Sequence, residues 1–415
     1  MRNKKEKLMI IVGAGASIPF GNYTCAEIDN LFKRNSIIKL NTSSRPKTLY
    51  KYCSEEINKF IEKRTYFGNP QSEQKLTNFE QVIHEMENIY ALTQEFHNKT
   101  TGAFFSKKVF PKKIKYPIFC KKCSKKVISP KELKKIDPYD FILESEHLIS
   151  LLAKKMRQKN LKFKNNPLFS NFRTLCQLLK KEYDIGILNF NYDDIFEEGF
   201  SSTLNTGFDK KGKFNPMKIV NGKWNFLYYP HGSLHFDINY HDNIDEYHYE
   251  KDLNKLIKSC PAIQSYDHTI EGFPILRTPI IVGYGKAYQI QRNPFSLYIN
   301  DFAKKIYEAD KILFIGYGFN DIYVNNLIRL SMNYCKKRKV VVIDSIKGKH
   351  PTNSIYFKQY ENNLCQTIPL EDFSLINIHK KGFNRLSNIN QSFSISFQGF
   401  ELFIKNPYKL LNELK

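Results

Sequence analysis

Four short runs of unbroken apolar residues set the terms of the fold: "LMIIV" at 8–12, "IGILNF" at 185–190, "KILFIG" at 311–316 and "KVVVID" at 339–344. A strand with one wet face alternates apolar and polar residues. A run that is apolar at every position must be covered on both faces, which is the condition inside a parallel sheet flanked by helices. The intervening segments supply those helices. "NFRTLCQLLKKEYD" leads into the second run with Phe172, Leu175, Leu178 and Leu179 on one face. "PFSLYINDFAKKIYEAD" leads into the third, and "FNDIYVNNLIRLSMNYCKKR" joins the third to the fourth. "PIIVG" (279–283) and "FLYYPHG" (226–232) are shorter strand candidates. The alternation predicts an α/β fold with a doubly wound parallel sheet.

About 170 residues separate the first run from the second, far more than one crossover needs. Residues 26–165 are therefore expected to form a large, mostly helical insertion, and 1–25 with 166–415 the sheet domain. "EEINKFIEKRTYF", "NFEQVIHEMENIYALTQEF" and "FILESEHLISLLAKKMRQ" carry its helical patterns, the second with Phe79, Val82, Ile83, Met86 and Tyr90 on one face. Residues 96–131 are lysine-rich and free of acids, either a solvated loop or a docking surface for an anionic partner. Cys120 and Cys123 within that run have metal-ligand spacing, but a structural zinc needs four ligands and no second such pair exists, so no metal is expected. The net charge of +23 suits a nucleotide, nucleic acid or acidic protein surface, or reflects a generally lysine-rich composition. Eight scattered cysteines and no secretory signal point to a reducing cytoplasm. No run approaches the ~18 apolar residues of a membrane span.

Polar and glycine residues cluster where the apolar runs end. After the first comes Gly13-Ala14-Gly15-Ala16-Ser17, either a phosphate loop opening a helix or a tight structural turn. It lacks two features of the dehydrogenase fingerprint: Ile18 stands where a third glycine belongs, and Asp29 follows no strand. The second run ends in Asn189, Asn191, Asp193 and Asp194, of which helix capping accounts for one. His231-Gly232 follows "FLYYP", placing an imidazole at a strand-to-loop junction, structural or chemical. Gly316-Tyr317-Gly318 ends the third run, with Asp321 in the first turn of the next helix, and Asp344 ends the fourth. Ligands bind at the carboxyl ends of strands in such sheets.

In this order the pieces resemble the sirtuin family. Its glycine loop looks like Gly13 to Ser17, its Asn-x-Asp strand end like Asn189, Asn191 and Asp193, its catalytic His-Gly like His231-Gly232, its second glycine loop like Gly316 to Phe319, and its ribose-binding strand end like Asp344. The resemblance implies a Rossmann-like fold and NAD⁺ as substrate. Gly13, Ala14, Gly15, Ala16, Ser17, Asn189, Gly316, Tyr317, Gly318 and Asp344 would then bind it, and Asn191, Asp193 and His231 would be catalytic. The family's four-cysteine zinc module is missing, since Cys260 alone lies between His231 and Gly316. The spellings "NYD" and "GYGFND", "NFEQVIHEME" at 78–87 and Lys286 look instead like the bacterial sirtuin-like NADase branch of antiphage defence. That branch implies a cytoplasmic homo-oligomer that depletes NAD⁺ once activated. The activator would be a separate trigger protein, such as a HerA-type ATPase or a short Argonaute, with nucleic acid reached through the partner and no membrane contact. An NAD⁺ or ADP-ribose sensor without turnover, a protein deacylase and a basic nucleic-acid-binding subunit are the rival readings.

Overall fold

The computed structural model describes residues 5–40, 47–65, 78–95, 138–241, 244–258, 278–283, 290–335, 338–345, 355–370, 383–388 and 391–415, and four two-residue strand pieces. The chain divides into two compact units, one of Met1–Asn22, Arg157–Lys251 and Arg292–Lys415, the other of Tyr23–Met156 and Asp252–Gln291. The sheet unit thus resumes at 157, where the sequence suggested 166. Residues 252–291, read from sequence as part of the sheet domain, group with the insertion.

The first unit is built on a seven-stranded sheet of β1 (Glu6–Val12), β2 (Tyr183–Asn189), β3 (Phe226–Tyr228), β4 (Lys311–Ile315), β5 (Lys339–Ile343), β6 (Asn384–Asn388) and β7 (Gln391–Ser396). Its spatial order is β6-β7-β5-β4-β1-β2-β3, and only β6 runs antiparallel. The six parallel strands form an α/β Rossmann-like sheet. The chain steps outward from β1 to β2 and β3, then crosses back to β4 on the other side of β1. The crevice at the carboxyl ends of β1 and β4 is therefore the topological switch point, where such sheets bind ligands.

Burial explains the apolar runs. Leu8 to Val12 of β1 are solvent-free, with β2 on one edge and β4 on the other. Helix Leu168–Glu182 buries Phe169, Phe172, Leu175, Cys176 and Leu179, and helix Phe295–Glu308 buries Phe295, Tyr298, Ile299, Phe302 and Ile306. "FLYY" supplies β3, whereas 279–283 contributes no strand to this sheet. β7 is absent from the sequence reading because "QSFSIS" is half serine. Its buried Ser394 hydroxyl donates to the buried Glu413 carboxylate at 2.5 Å, so a polar pair stands where a central parallel strand is ordinarily apolar.

The second unit contains helices Cys25–Asn35, Leu49–Thr65 and Phe79–Glu95 and a small four-stranded antiparallel sheet. Phe79, Val82, Ile83, Met86 and Tyr90 are buried, as their spacing predicts. No helix among the described residues is long and apolar enough to cross a membrane.

Gly186 in β2 faces the Phe226 ring of β3, and a Cβ there would lie 2.5 Å from the ring's Cζ. Phe226 is itself solvent-free, so it has little room to yield. Gly186→Ala is expected to cost about 1–3 kcal/mol, read as a lowered Tm. Phe226→Leu in the same chain should return part of the loss.

Candidate active site

The turns that end β1 and β4 are locked backbone to backbone. The Gly13 N–H donates to the Ile315 carbonyl at 3.0 Å and the Gly15 N–H to the Gly316 carbonyl at 3.1 Å. A Cβ on Gly13 would lie 2.5 Å from Tyr317 Cα, one on Gly15 2.8 Å from Gly316 Cα, and one on Gly316 2.5 Å from the Ala16 nitrogen. Gly316 also has φ +57°, a conformation costly for residues with a side chain. These glycines let two loops meet, in keeping with the tight structural turn that is one of the two sequence readings of this loop. The expectation of a helix opening at the loop is revised. Two 3₁₀ turns, Ala14–Ala16 and Ile18–Phe20, follow instead, and the Ala16 and Ser17 N–H groups close on the Gly13 and Ala14 carbonyls. In Gly13 to Ser17, the exposed Ala14 alone keeps an N–H with no hydrogen bond among the described residues.

Strand β2 delivers the next group. The Asn191 amide donates to the Gly13 carbonyl at 2.8 Å and to Ser17 Oγ at 2.7 Å, which spends both of its hydrogens. Its backbone N–H donates to Asn189 Oδ1 at 3.0 Å. Asn191 Oδ1 is left as an acceptor. Asp193 is fully buried: Oδ2 accepts from the Asn22 amide at 2.7 Å, Oδ1 from the Ile195 N–H at 3.3 Å, and the Ser17 hydroxyl donates to the same carboxylate. Ser17 thus relays between Asn191 and Asp193. Burial pushes the Asp193 carboxyl up to about 6, against the lowering hydrogen bond from Ser17 and with a further push from Asp194.

His231 follows β3. Its loop is tied to the β2 end by the Leu234 N–H donating to the Tyr192 carbonyl at 2.8 Å. The Phe190 ring meets the imidazole edge-on at 4.8 Å between centroids and also contacts the Tyr317 ring at 5.2 Å. Nε2 of His231 lies 3.0 Å from Oδ2 of Asp321. Asn325 secures the β4 turn by donating to the Phe319 carbonyl at 2.8 Å and accepting from the Tyr317 hydroxyl at 3.1 Å. Beneath these groups Asp194 accepts from the Asn160 amide at 2.6 Å and pairs with His235 Nε2 at 2.8 Å. Burial pulls the His235 imidazole down, but the bond to Asp194 and the charges of Asp194 and Glu197 outweigh it, so the net shift is upward.

Asp344 follows β5 and accepts from the Ser345 N–H at 2.7 Å. Burial pushes its carboxyl up to about 6, although Ser345, Tyr360 and the Gly318 N–H act to lower it. The structure thus gathers Gly13, Ala14, Gly15, Ala16, Ser17, Asn189, Asn191 and Asp193 around one lock, brings His231 to it through Phe190 and Tyr317, and sets Asp344 one strand farther along. Asn22 and the pairing of Asp321 with His231 were missed from sequence. Asp321 was visible as a first-turn acid, but its partner is 90 positions away. Lys286, Cys120, Cys123 and nearly all of the basic 96–131 run lie outside the described residues. Among the described residues no three His, Cys, Asp or Glu gather as a metal site.

Residues 186–362 match the family model of the SIR2-like domain. The match takes in Asn189, Asn191, Asp193, His231, Gly316 to Gly318, Asp321 and Asp344, and begins after the Gly13–Ser17 loop. Domains of this family use NAD⁺. No curated protein matches the chain.

Asp193 gives this arrangement a pH signature. Its folded value of about 6 lies above the ordinary 3.8, so between those two values the folded state holds the proton more tightly than the unfolded chain. Stability therefore falls as pH rises through that window, and above it the full cost of the buried charge is present. Asp193→Asn, with the Asn22 amide turned over to present its oxygen, is expected to be more stable than the wild type at pH 7.5 by about 1–2 kcal/mol. In urea titrations the gap should close toward pH 4.

Proposed function

We propose that this chain, whose residues 186–362 are sirtuin-like, is an NAD⁺ hydrolase that breaks the bond between nicotinamide and ribose. The observation that supports this most is the meeting of Asn191, His231 and the two glycine turns at the switch point of a Rossmann-like sheet. The reaction passes through an oxocarbenium-like state, as in glycoside hydrolysis. Its leaving group is a pyridinium, already cationic, that departs as neutral nicotinamide with the electron pair of the C–N bond, so no general acid is needed. The site has to hold the ribose, admit one water and take up one proton.

Asn191 suits the holding role because its amide hydrogens are committed to Gly13 and Ser17. Its Oδ1 accepts from a ribose hydroxyl or from the attacking water. His231 is the proton acceptor. Asp193 is enclosed by Asn22, Ser17 and Ile195, so it acts by fixing Ser17 and Asn191. The Ala14 N–H is the backbone donor available to the pyrophosphate. Gly316 to Gly318 and Asp344 border the adenosine side, with Asp344 accepting from ribose hydroxyls.

The wider role belongs to the same proposal: a cytoplasmic homo-oligomer that depletes NAD⁺ as the effector of an antiphage system. It is switched on by a separate trigger protein, such as a HerA-type ATPase or a short Argonaute, through which nucleic acid is sensed. The branch-like spellings "NYD" and "GYGFND" and the net charge of +23 support it. The basic run at 96–131 is the proposed docking surface.

The test is release of nicotinamide from NAD⁺ by the purified chain, alone and with the product of its neighbouring gene. Cleavage is expected with the partner and little without it. His231→Ala and Asn191→Ala should each lower it roughly 100-fold or more while melting as cooperatively as the wild type. Wild-type rates in both folded variants would overturn the site assignment. Asp344→Ala should raise KM more than it lowers kcat, because that carboxylate is remote from the scissile bond.

A further inference from the structure

Asp321 uses its two oxygens for two tasks. Oδ1 accepts from the Val324 N–H at 3.2 Å and caps helix Ile322–Tyr334, while Oδ2 meets His231 Nε2 at 3.0 Å. The cap fixes the carboxylate, and the Phe190 ring, edge-on at an interplanar angle of 74°, fixes the imidazole. A carboxylate can only accept. The neutral imidazole facing it must carry its hydrogen on Nε2, which leaves the lone pair on Nδ1.

We propose that Asp321 is the positioning residue of this site. It holds His231 in the Nε2–H tautomer, makes Nδ1 the atom that accepts the proton, and stabilises the imidazolium that results. This deepens the hydrolase reading and rests on it for the identity of the reaction. In the balanced step, water oxygen bonds to the ribose carbon, and nicotinamide leaves with the electron pair of the broken C–N bond. One water proton passes to Nδ1 and from there to solvent. Asp321 stays ionised throughout, as an orienting carboxylate beside a histidine base does.

Asp321→Ser separates the two tasks. Serine caps a helix about as well as aspartate, but its hydroxyl is too short to reach the imidazole. The variant is expected to melt within a few degrees of the wild type. With ¹⁵N-labelled histidine, NMR should show His231 as the Nε2–H form in the wild type and as a tautomer mixture in Asp321→Ser. The variant's kcat should fall roughly 10- to 100-fold with KM within about threefold, and Asp321→Asn, whose oxygen keeps the cap while its NH2 donates to Nε2 and puts the ring hydrogen on Nδ1, should fall at least as far. An Nδ1–H ring in the wild type, or full kcat in Asp321→Ser, would overturn the inference. The NMR result reads the tautomer whether or not NAD⁺ is turned over, so failure of the hydrolase reading and failure of this one give different outcomes.

Discussion

The lock between the turns of β1 and β4 is the contact on which the site depends. Two neighbouring parallel strands end in turns whose backbones touch, an approach that side chains at Gly13, Gly15 or Gly316 would prevent. The polar groups of the candidate site are referenced to this frame. The Gly13 carbonyl, held by the lock, accepts from Asn191, and the turn that follows places Ser17 against both Asn191 and Asp193. On the β4 side, Gly316 leads into Tyr317, whose ring packs on Phe190, and then into the acid that faces His231. Side chains from three strand ends are thereby fixed by one backbone contact.

The same region carries a polar floor where a stability-driven core would be apolar. Asp193, Asp194 and His235 are all buried, and the nearby Glu197 accepts from the hydroxyls of Tyr229 at 3.0 Å and Tyr249 at 2.8 Å. Burying carboxylates is costly unless their hydrogen bonds are met. Here nearly every oxygen has a donor, and His235, stacked on Tyr249, carries a proton shared with Asp194. Such networks are rigid when satisfied. Burial pushes the Asp193 carboxyl up despite these bonds, a pattern more common at functional sites than in structural cores.

Much of the sheet was legible in the sequence because parallel central strands are apolar at every position. Leu8–Val12, Ile185–Leu188, Ile312–Ile315 and Val340–Ile343 need no context to be read. β7 was not legible, since Ser394 and Ser396 are buried polar residues and the Ser394 hydroxyl finds its acceptor only in the tertiary neighbour Glu413. Within the site, Asn191 and His231 stood out as polar residues at strand ends. The use made of the glycines did not, because a glycine that clears room for a phosphate and one that clears room for another backbone leave the same letter. Asp321 illustrates a further limit. Its capping role is local and can be read from position, whereas its contact with His231 exists only once β3 and β4 share a sheet.

The family match begins at residue 186, yet the site cannot be complete without the strand and turn that precede it. Both hydrogens of the Asn191 amide end on Gly13 and Ser17. Without those acceptors a buried amide would be left unpaired, at about 1–3 kcal/mol per group, and β2 and β4 would lose the neighbour that joins them. The long excursion between β1 and β2 does not weaken this dependence. Closure entropy grows only logarithmically, about 0.6 kcal/mol for each doubling of loop length. Within the sheet unit, the Asn166 amide also donates to the Pro19 carbonyl at 3.0 Å, tying together the segments from which the chain departs and to which it returns. The size of the insertion therefore bears little on the position of Gly13 to Ser17 within the sheet unit.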